Sequence, residues 1–412
     1  MSELDRLKKF FEGGSLVDPS KNDLNLVDLA ENIFANLHAK AGTTPPSIET
    51  RSIPSLQLNG KHLIFVLIDG MGTRFINQLG ENDFLRKKSH LEINSVVPSA
   101  TTAAITALGT GVSPSKHGAP GWWTVVPERN DHIIPLPYIQ TGTNKKVEHS
   151  TDDIFFTKSR FYEFKNQNNL SLEFHYPKKI NNSTYSRFYS ADYKNVPYDS
   201  FAEAVDNAAS AIKNSKSEFT FTSIYYSDLD SDSHMYGVDS KQVSETLQYV
   251  QQNLRRLTEA VSNDVDIVVT ADHGQINVDK DRSLAIFPDD DIYKLLRLRP
   301  SGEPRMPIFH TKDGCAETFK KQFLSKHSDA FCLLTPNECE SIDLMGVGPY
   351  SEAFKKRLGD FVGVGINKSI FEYFRIKGVT KDQRSFAKST PENQPVTRNP
   401  YTLVGHWNSL KR

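Results

Sequence analysis

The sequence has few of the features that mark membrane, secreted and nucleic-acid-binding proteins. Its longest unbroken apolar run, residues 63–68, is far shorter than the roughly 20 residues that a membrane-spanning helix requires. Its start, MSELDRLKKFFEGG, has neither the apolar stretch nor the cleavage site of a secretory signal, so we expect a cytoplasmic protein. Lys and Arg number 49 against 50 Asp and Glu, so no overall basic charge attracts a nucleic-acid polymer or an anionic membrane.

Cysteine is also scarce. Cys315, Cys332 and Cys339 are an odd number with irregular spacing, which fits neither a disulfide framework nor a CxxC metal site. What the 412 residues do contain is the composition of a globular protein of enzyme size, with 38% hydrophobic, 24% charged and 10% aromatic residues. A chain of this length can bury a large core without disulfides. Composition leaves the oligomeric state open.

Strands and helices alternate along much of the chain. HLIFVLIDG is a continuous apolar run that ends at Asp69, which is typical of a strand buried on both faces. A helix over 200–212, a strand over 219–226, a helix over 243–261 and a strand over 266–269 are predicted to follow. This alternation predicts an α/β fold with a doubly wound, mostly parallel central sheet flanked by helices.

We expect a single catalytic domain over residues 1–412, made of three parts. The core is discontinuous, over about residues 55–116, 200–285 and 400–412. Residues 117–199 are rich in Asn, Tyr, Lys and Pro and are predicted to form an inserted cap. Residues 286–399 mix short strand-like and helix-like pieces and are predicted to form a smaller α/β subdomain.

Polar residues follow the ends of the apolar strands, where open parallel sheets collect their functional groups. They are Asp69, Thr101, Asp230, His234, Asp272 and His273. Each has an ordinary structural alternative, because a strand-end Asp is commonly a cap and a lone His commonly makes a simple hydrogen bond. Together, three carboxylates and two histidines at one rim are unfavourable to bury unless a cation lies between them. Mixed Asp and His ligands suit zinc, with manganese as an alternative.

The spacing of these residues allows such a site. Asp230 and His234 are four residues apart, so both can reach one metal from a loop or from one face of a helix. Asp272 and His273 are adjacent, and Gly274 permits the turn that would direct both of them inward.

Thr101 is predicted to lie in the first turn of the helix ATTAAITALGTG. The partial positive charge and free amides of a helix N-terminus favour an alkoxide and bind a phosphate oxygen. A metal alongside would make this hydroxyl a nucleophile. The alternative that Thr101 or Thr102 is merely an N-cap stays open at this point.

Five motifs together resemble the alkaline phosphatase superfamily, specifically its type I phosphodiesterase and nucleotide pyrophosphatase branch. In chain order they are LIDGMG, PSATTAAITALGTGVSPSKHG, DSDSHMYG, TADHGQ and LVGHW, covering about residues 60–285 and the final dozen. The resemblance implies two Zn²⁺ ions. The first would be bound by Asp230, His234 and His406, and the second by Asp69, Thr101, Asp272 and His273. Thr101, the fourth residue of PSAT, would be the catalytic nucleophile rather than Thr102.

The sequence departs from this branch in two places. Trp407 follows His406 where the branch usually has Gly. Trp122 occupies the place at which the nucleotide pyrophosphatases have an Asn that binds a non-bridging phosphate oxygen. The phosphoryl oxygens would therefore be bound by the amides at Thr101 and Thr102, by the metals, or by Arg305.

Aromatic residues are candidates for binding the rest of a substrate. Trp122 and Trp123 are adjacent and would form a wall that stacks on a base or another flat group, or else belong to a core or a lid. Tyr225, five residues before Asp230, is predicted to line the same pocket.

The resemblance implies a hydrolase that cleaves phosphodiester or nucleotide pyrophosphate bonds through a covalent phosphothreonine intermediate. Its substrate would be a small-molecule phosphate ester, with nucleotides among the candidates. A phosphomonoesterase or a phosphonate hydrolase is the alternative, because one metal cage serves all of these reactions and only the outer pocket discriminates. A non-catalytic metal-binding relative is the alternative from another class.

Overall fold

The structure, a computed structural model, describes residues 1–21, 23–46, 51–278, 283–288, 290–372, 396–399 and 401–408. In chain order its strands are β1 (His62–Ile68), β2 (Ser89–Asn94), β3 (Thr124–Val126), β4 (Asp131–Ile134), β5 (Ile139–Gln140), β6 (Leu170–Pro177), β7 (Lys194–Tyr198), β8 (Phe219–Tyr226), β9 (Val265–Thr270), β10 (Gly274–Asn277), β11 (Ser283–Ala285), β12 (Ser301–Glu303), β13 (Met306–Phe309), β14 (Phe331–Leu334), β15 (Phe361–Gly365), β16 (Ile370–Glu372), β17 (Val396–Asn399) and β18 (Tyr401–Asn408).

The helices are α1 (Glu3–Glu12), α2 (Leu26–Ala41), α3 (Thr73–Gln78), α4 (Phe84–Lys88), α5 (Thr101–Thr110), α6 (Pro114–His117), α7 (Thr151–Ile154), α8 (Thr184–Tyr189), α9 (Phe201–Lys213), α10 (Asp228–Tyr236), α11 (Lys241–Ala260), α12 (Ala316–His327), α13 (Pro336–Ser341) and α14 (Glu352–Arg357). Across the described ranges, every helix is too short or too polar to cross a membrane.

Seven of the strands form the central sheet, in the order β2-β18-β9-β1-β8-β6-β7. Strand β1 pairs in parallel with β8 on one side and with β9 on the other. Strand β6 pairs in parallel with both β8 and β7. Strand β18 runs antiparallel to its two neighbours, β9 and β2. The prediction of a doubly wound, mostly parallel α/β sheet is confirmed.

Helices cover both faces of this sheet, which explains the unbroken apolar run in β1. Successive side chains of a strand point to opposite faces. Phe65 accordingly packs into a core that includes α2 and α5, whereas Val66 packs into the opposite core with α9 and α11. Every residue of β1 after His62 is buried, as expected for a parallel strand between two helical layers.

The region predicted as a cap, 117–199, is only partly an insertion. Strands β3, β4 and β5 form a separate three-stranded sheet, but β6 and β7 extend the central sheet. The expectation therefore does not hold for residues 170–198. Strand β7 lies at the edge of the sheet, where exposed Lys194 and Pro197 are tolerated, so it lacks the apolar run that marks a central strand. The rest of the expected division stays a prediction.

A second, four-stranded sheet with the order β12-β13-β15-β14 lies in the region predicted as a smaller subdomain. Its strands pair antiparallel. Helix α1 contacts β14, and its buried residues Leu7 and Phe11 join Ile308 and Phe354 in one core. The start of the chain therefore packs with the second sheet.

Candidate active site

The predicted site lies at one edge of the central sheet, where three parallel strands end. The register aligns Leu67 of β1 with Tyr225 of β8 and with Thr270 of β9, so all three strands end at the same level. Asp69 directly follows β1, and Asp272 follows β9 by two residues. Helix α10, which contains Asp230 and His234, begins two residues after β8.

Asp69, Asp272 and His273 form a buried cluster at this edge. One potential ligand atom from each lies within 4.8 Å of the other two. The Nε2 atom of His273 is 3.3 Å from Asp69 Oδ1 and 3.5 Å from Asp272 Oδ2. Two buried carboxylates this close repel each other, and a cation between them would offset that repulsion.

Backbone amides orient the carboxylate of Asp272. Its Oδ1 accepts hydrogen bonds from the amides of Gly70 at 3.0 Å and His273 at 2.9 Å. The hydroxyl of Ser95 donates to the main-chain carbonyl of Asp272 at 2.5 Å. The other carboxylate oxygen, Oδ2, accepts no hydrogen bond from the residues that the structure describes, although it is buried. A buried oxygen held in this way suits a metal ligand.

The hydrogen bonds of His273 determine which of its nitrogens carries a lone pair. Its Nδ1 lies 3.1 Å from the carbonyl oxygen of Gly274, which can only accept, so Nδ1 carries the proton. In the neutral form of the ring, Nε2 then has the lone pair, and it faces Asp69, Asp272 and Thr101. This tautomer is the one that binds a metal through Nε2.

Thr101 is the first residue of α5 and lies against the cluster. Its Oγ1 is 3.1 Å from His273 Nε2. The N-cap of the helix is Ala100, which makes no side-chain cap, so the alternative that either threonine is the N-cap does not hold. The hydroxyl of Thr102 is buried without a hydrogen-bond partner in the described part of the chain. The geometry thus distinguishes the two threonines, because Thr101 contacts the cluster.

The histidine of the SPSKHG motif, His117, contacts the first turn of α5. His117 is fully buried, its Nδ1 accepts from the amide of Ala119 at 3.2 Å, and its Nε2 lies 3.1 Å from the carbonyl of Ala103. Burial lowers the pKa of His117 to about 3, so the ring stays neutral. His117 therefore connects the α6 turn to the first turn of the helix that presents Thr101.

Asp230 and His234 lie one turn apart on α10, on the same face of the helix. Asp230 Oδ1 is 3.4 Å from His234 Nε2 and 4.0 Å from His273 Nε2. The second predicted ligand pair is thus adjacent to the buried cluster, with the side chain of His234 exposed to solvent.

The backbone register does not bring His406 to this edge. His406 lies in β18 opposite Val268 of β9. Val268 lies two residues before the end of β9, roughly 7 Å at about 3.3 Å per residue, and Asp272 lies two residues beyond that end. The first predicted metal set therefore has Asp230 and His234 at the site, and the ligand role of His406 stays a prediction that this register does not support.

The remaining predicted substrate-binding residues, Arg305, Trp122 and Trp123, form hydrogen bonds with other parts of the protein. The guanidinium of Arg305 donates to the carbonyls of Gly365, Asn367 and Ser369 within the second sheet region, which leaves it poorly placed to bind phosphate. Trp122 and Trp123 are half-buried. The amide of Trp122 donates to a carboxylate oxygen of Glu303 at 2.5 Å, and the backbone of Trp123 pairs with Gly302, so β12 anchors the aromatic pair. Their contact with a flat group stays a prediction.

Two side chains contact the predicted ligands directly, in ways that the sequence did not indicate. The hydroxyl of Tyr225 donates to Asp69 Oδ2 at 2.5 Å. Burial and the carboxylates of Asp69 and Asp272 raise the pKa of Tyr225 well above its ordinary value, so the hydroxyl keeps its proton. The amide Nε2 of Gln275 donates to Asp230 Oδ1 at 2.5 Å. Gln275 is the last residue of the TADHGQ motif, and its place in that motif was the available signal.

Comparisons with known proteins identify the family of the chain. The family model for type I phosphodiesterase / nucleotide pyrophosphatase matches residues 63–358. Bis(5'-adenosyl)-triphosphatase ENPP4 from Bos taurus is 26% identical over 129 residues, which cover 29% of this chain. The same protein from Pongo abelii is 27% identical over 109 residues, or 24% of this chain. The chain spans 28% and 24%, respectively, of the lengths of these two relatives.

Solved structures show the same fold. Murine ectonucleotide pyrophosphatase / phosphodiesterase 5 matches with a TM-score of 0.59 and 14% identity, over 83% of this chain and 87% of that protein. Phosphonoacetate hydrolase from Sinorhizobium meliloti 1021, in complex with phosphonoformate, matches with a TM-score of 0.56 and 14% identity, over 87% of this chain and 92% of that one. By its family match over most of its length, the chain belongs to the type I phosphodiesterase / nucleotide pyrophosphatase family.

Proposed function

We propose that this protein is a metal-dependent hydrolase of phosphodiester or nucleotide pyrophosphate bonds, with Thr101 as its nucleophile. The observation that carries the proposal is the contact of 3.1 Å between Thr101 Oγ1 and His273 Nε2, at the N-terminus of α5 and within the buried Asp69, Asp272 and His273 cluster. A hydroxyl in this position has both the positive end of a helix and a set of metal ligands beside it.

The buried cluster of Asp69, Asp272 and His273 supports one metal ion, and the family resemblance supports a second ion beside it. One would be bound by Asp69, Asp272, His273 and Thr101, and the other by Asp230 and His234 with any further ligand still to be identified. Mixed carboxylate and imidazole ligands are those of zinc, with manganese as the alternative. When bound, the metals would supply positive charge that lowers the pKa of the Thr101 hydroxyl and neutralises the phosphoryl oxygens.

In the proposed reaction, Thr101 Oγ1 attacks phosphorus in line with the leaving oxygen. The Thr101 hydroxyl releases its proton to solvent and the new Oγ1–P bond forms as the bond from phosphorus to the leaving oxygen breaks, and the departing group takes a proton from solvent. Water then attacks from the opposite side, breaks the Oγ1–P bond and returns the hydroxyl to Thr101. Two in-line displacements give net retention of configuration at phosphorus.

The first turn of α5 would orient the non-bridging oxygens. The amides of Thr101, Thr102 and Ala103 precede the first backbone bond of the helix, which runs from the amide of Ala104 to the carbonyl of Ala100 at 2.8 Å. Such amides are donors without a partner inside the helix. They would replace the asparagine that this chain lacks at Trp122.

A diester preference is supported by the family match and by the ENPP4 relatives, which are bis(5'-adenosyl)-triphosphatases. Trp122 and Trp123 are the candidates for stacking on the leaving group or the base. The substrate we propose is accordingly a small nucleotide-containing diester or pyrophosphate, with a monoester or a phosphonate as the alternative.

The proposal is tested by measuring hydrolysis of a bis-aryl phosphate, a mono-aryl phosphate and bis(5'-adenosyl) triphosphate by the zinc-loaded protein. We expect turnover of the diester and the triphosphate to exceed that of the monoester by about tenfold or more. Thr101→Ala should reduce turnover by at least about 10³-fold, since it removes the nucleophile. Thr102→Ala, the matched control in the same turn, should keep turnover within about tenfold of the original.

Two results would contradict the proposal. Equal loss of activity in Thr101→Ala and Thr102→Ala would show that α5 has been disturbed rather than the nucleophile removed. Preference for the monoester would assign the protein to the phosphomonoesterases instead. A trapped phosphoprotein, detected by mass spectrometry after acid quenching and absent from Thr101→Ala, would identify the covalent intermediate directly.

A further inference from the structure

Each of the two predicted ligand sets contains a carboxylate that accepts a hydrogen bond from a side chain outside the set. Tyr225 donates from Oη to Asp69 Oδ2 at 2.5 Å, whereas Gln275 donates from Nε2 to Asp230 Oδ1 at 2.5 Å. Neither donor is among the predicted metal ligands, and the two come from different strands, β8 and β10.

The Tyr225 contact determines which oxygen of Asp69 faces the cluster. With Oδ2 bound by the phenol, Oδ1 is the atom that lies 3.3 Å from His273 Nε2. A carboxylate whose outer oxygen is hydrogen-bonded cannot rotate freely, so its inner oxygen is presented to a cation in one orientation. Tyr225 lies beside Leu67 in the β1–β8 pairing, so the sheet itself positions this donor.

Gln275 acts on the other set from a fully buried position. Its amide packs over Gly70, where an added Cβ would lie 3.1 Å from Gln275 Cδ and 3.2 Å from Asp230 Cβ. The small size of Gly70 therefore allows Gln275 to reach Asp230. Gln275 is completely buried, and its Oε1 accepts no hydrogen bond from the residues that the structure describes.

The amide of Gln275 also orients Asp230 toward its partner on α10. The oxygen that accepts from Gln275, Oδ1, is the one 3.4 Å from His234 Nε2. Because His234 is exposed and α10 is a surface helix, the buried amide is the rigid part of this arrangement. Loss of the donor would remove this restraint on the rotamer of Asp230.

We propose that Tyr225 and Gln275 are positioning residues, Tyr225 for the metal set of Asp69, Asp272 and His273 and Gln275 for the metal set of Asp230 and His234. This inference rests on the two-metal site of the proposed function. It replaces the predicted substrate-lining role of Tyr225 with a role that acts through Asp69. Partners of this kind change metal affinity by about 10- to 100-fold when they are removed.

The test measures Zn²⁺ affinity by calorimetry in two backgrounds, each of which isolates one set. In the His234→Ala background, Tyr225→Phe should weaken binding by about 10- to 100-fold, and Gln275→Met should change it by less than about threefold. The Asp272→Asn background keeps the shape of the buried side chain. There, Gln275→Met should weaken binding by about 10- to 100-fold, and Tyr225→Phe should change it by less than about threefold. Gln251→Met, which removes a buried amide on α11 outside the candidate site, is the matched control and should change neither affinity.

The outcomes separate this inference from the proposed function. Site-selective weakening supports it, because a general loss of packing would affect both sets alike. Equal effects of both variants on both sets, or no effect on either set, would overturn it while leaving the two-metal site intact. Fewer than two Zn²⁺ ions bound by the unmodified protein would overturn the proposed two-metal site and this inference with it. Thermal unfolding without metal verifies that each variant folds.

Discussion

At the scale of single residues, His117 makes the fold sensitive to acid. Burial lowers its pKa from 6.5 to about 3, so between these values the unfolded state binds a proton that the folded state excludes. Stability therefore falls as the pH drops below about 6.5, by at most about 1.4 kcal/mol per pH unit from this group. We expect His117→Asn to show a shallower pH dependence in urea unfolding with EDTA. The exposed His90→Asn should keep the original slope, and equal slopes for all three proteins would refute this assignment.

At the scale of elements, the packing of α5, the helix that begins at Thr101, depends on the small size of Gly109. A Cβ on Gly109 would lie 2.8 Å from Tyr189 Cδ2, and this buried ring packs against Phe161 and Phe174. Gly to Ala ordinarily stabilises a helix by about 1 kcal/mol, but here overpacking should reverse the sign to a loss of about 1–3 kcal/mol. Thermal unfolding and kcat of Gly109→Ala measure both effects. Adding Tyr189→Leu should recover part of the loss, and no recovery would count against the clash.

At the scale of the whole molecule, Arg357 connects the second sheet region to the segment after α6. Its buried guanidinium donates to the carbonyls of Gly118 and Ile154, both at 2.6 Å, and lies 4.1 Å from the ring of Phe156. Arg357→Met removes these donors and leaves buried carbonyls unsatisfied, so we expect a loss of about 2–4 kcal/mol in urea unfolding. The neighbouring exposed Lys356→Met should change stability by less than about 0.5 kcal/mol. Similar losses in both variants would contradict a connecting role for Arg357.

Much of the fold and of the candidate site was predictable because the relevant signals are local. Each predicted site residue lies close in sequence to the strand or helix that positions it. Asp69 follows an apolar run, Asp272 and His273 lie in a turn after a strand, and Thr101 begins a helix. Parallel strands then bring such ends to a common edge. The α/β sheet and the family were confirmed, and the structure places Asp69, Thr101, Asp230 and Asp272 within 4.0 Å of His273 Nε2, with His234 beside Asp230.

What the sequence could not show is decided by contacts between distant segments. The assignment of β6 and β7 to the central sheet depends on the pairing of β6 with β8 and of β7 with β6, and the register of His406 depends on how β18 pairs with β9. Arg305 is an ordinary loop arginine in the sequence until the carbonyls of Gly365, Asn367 and Ser369 surround it.

The division between sequence and structure therefore follows the range of the interactions. By itself, the sequence predicted which side chains suit metal binding and nucleophilic attack and which strand or helix most of them follow, because periodicity and strand-end motifs are local properties. Only the tertiary structure decided that Tyr225 reaches Asp69, 156 residues away, and that Gln275 reaches Asp230, 45 residues away. Such hydrogen bonds depend on strand register and on the space left by Gly70, which no local pattern encodes.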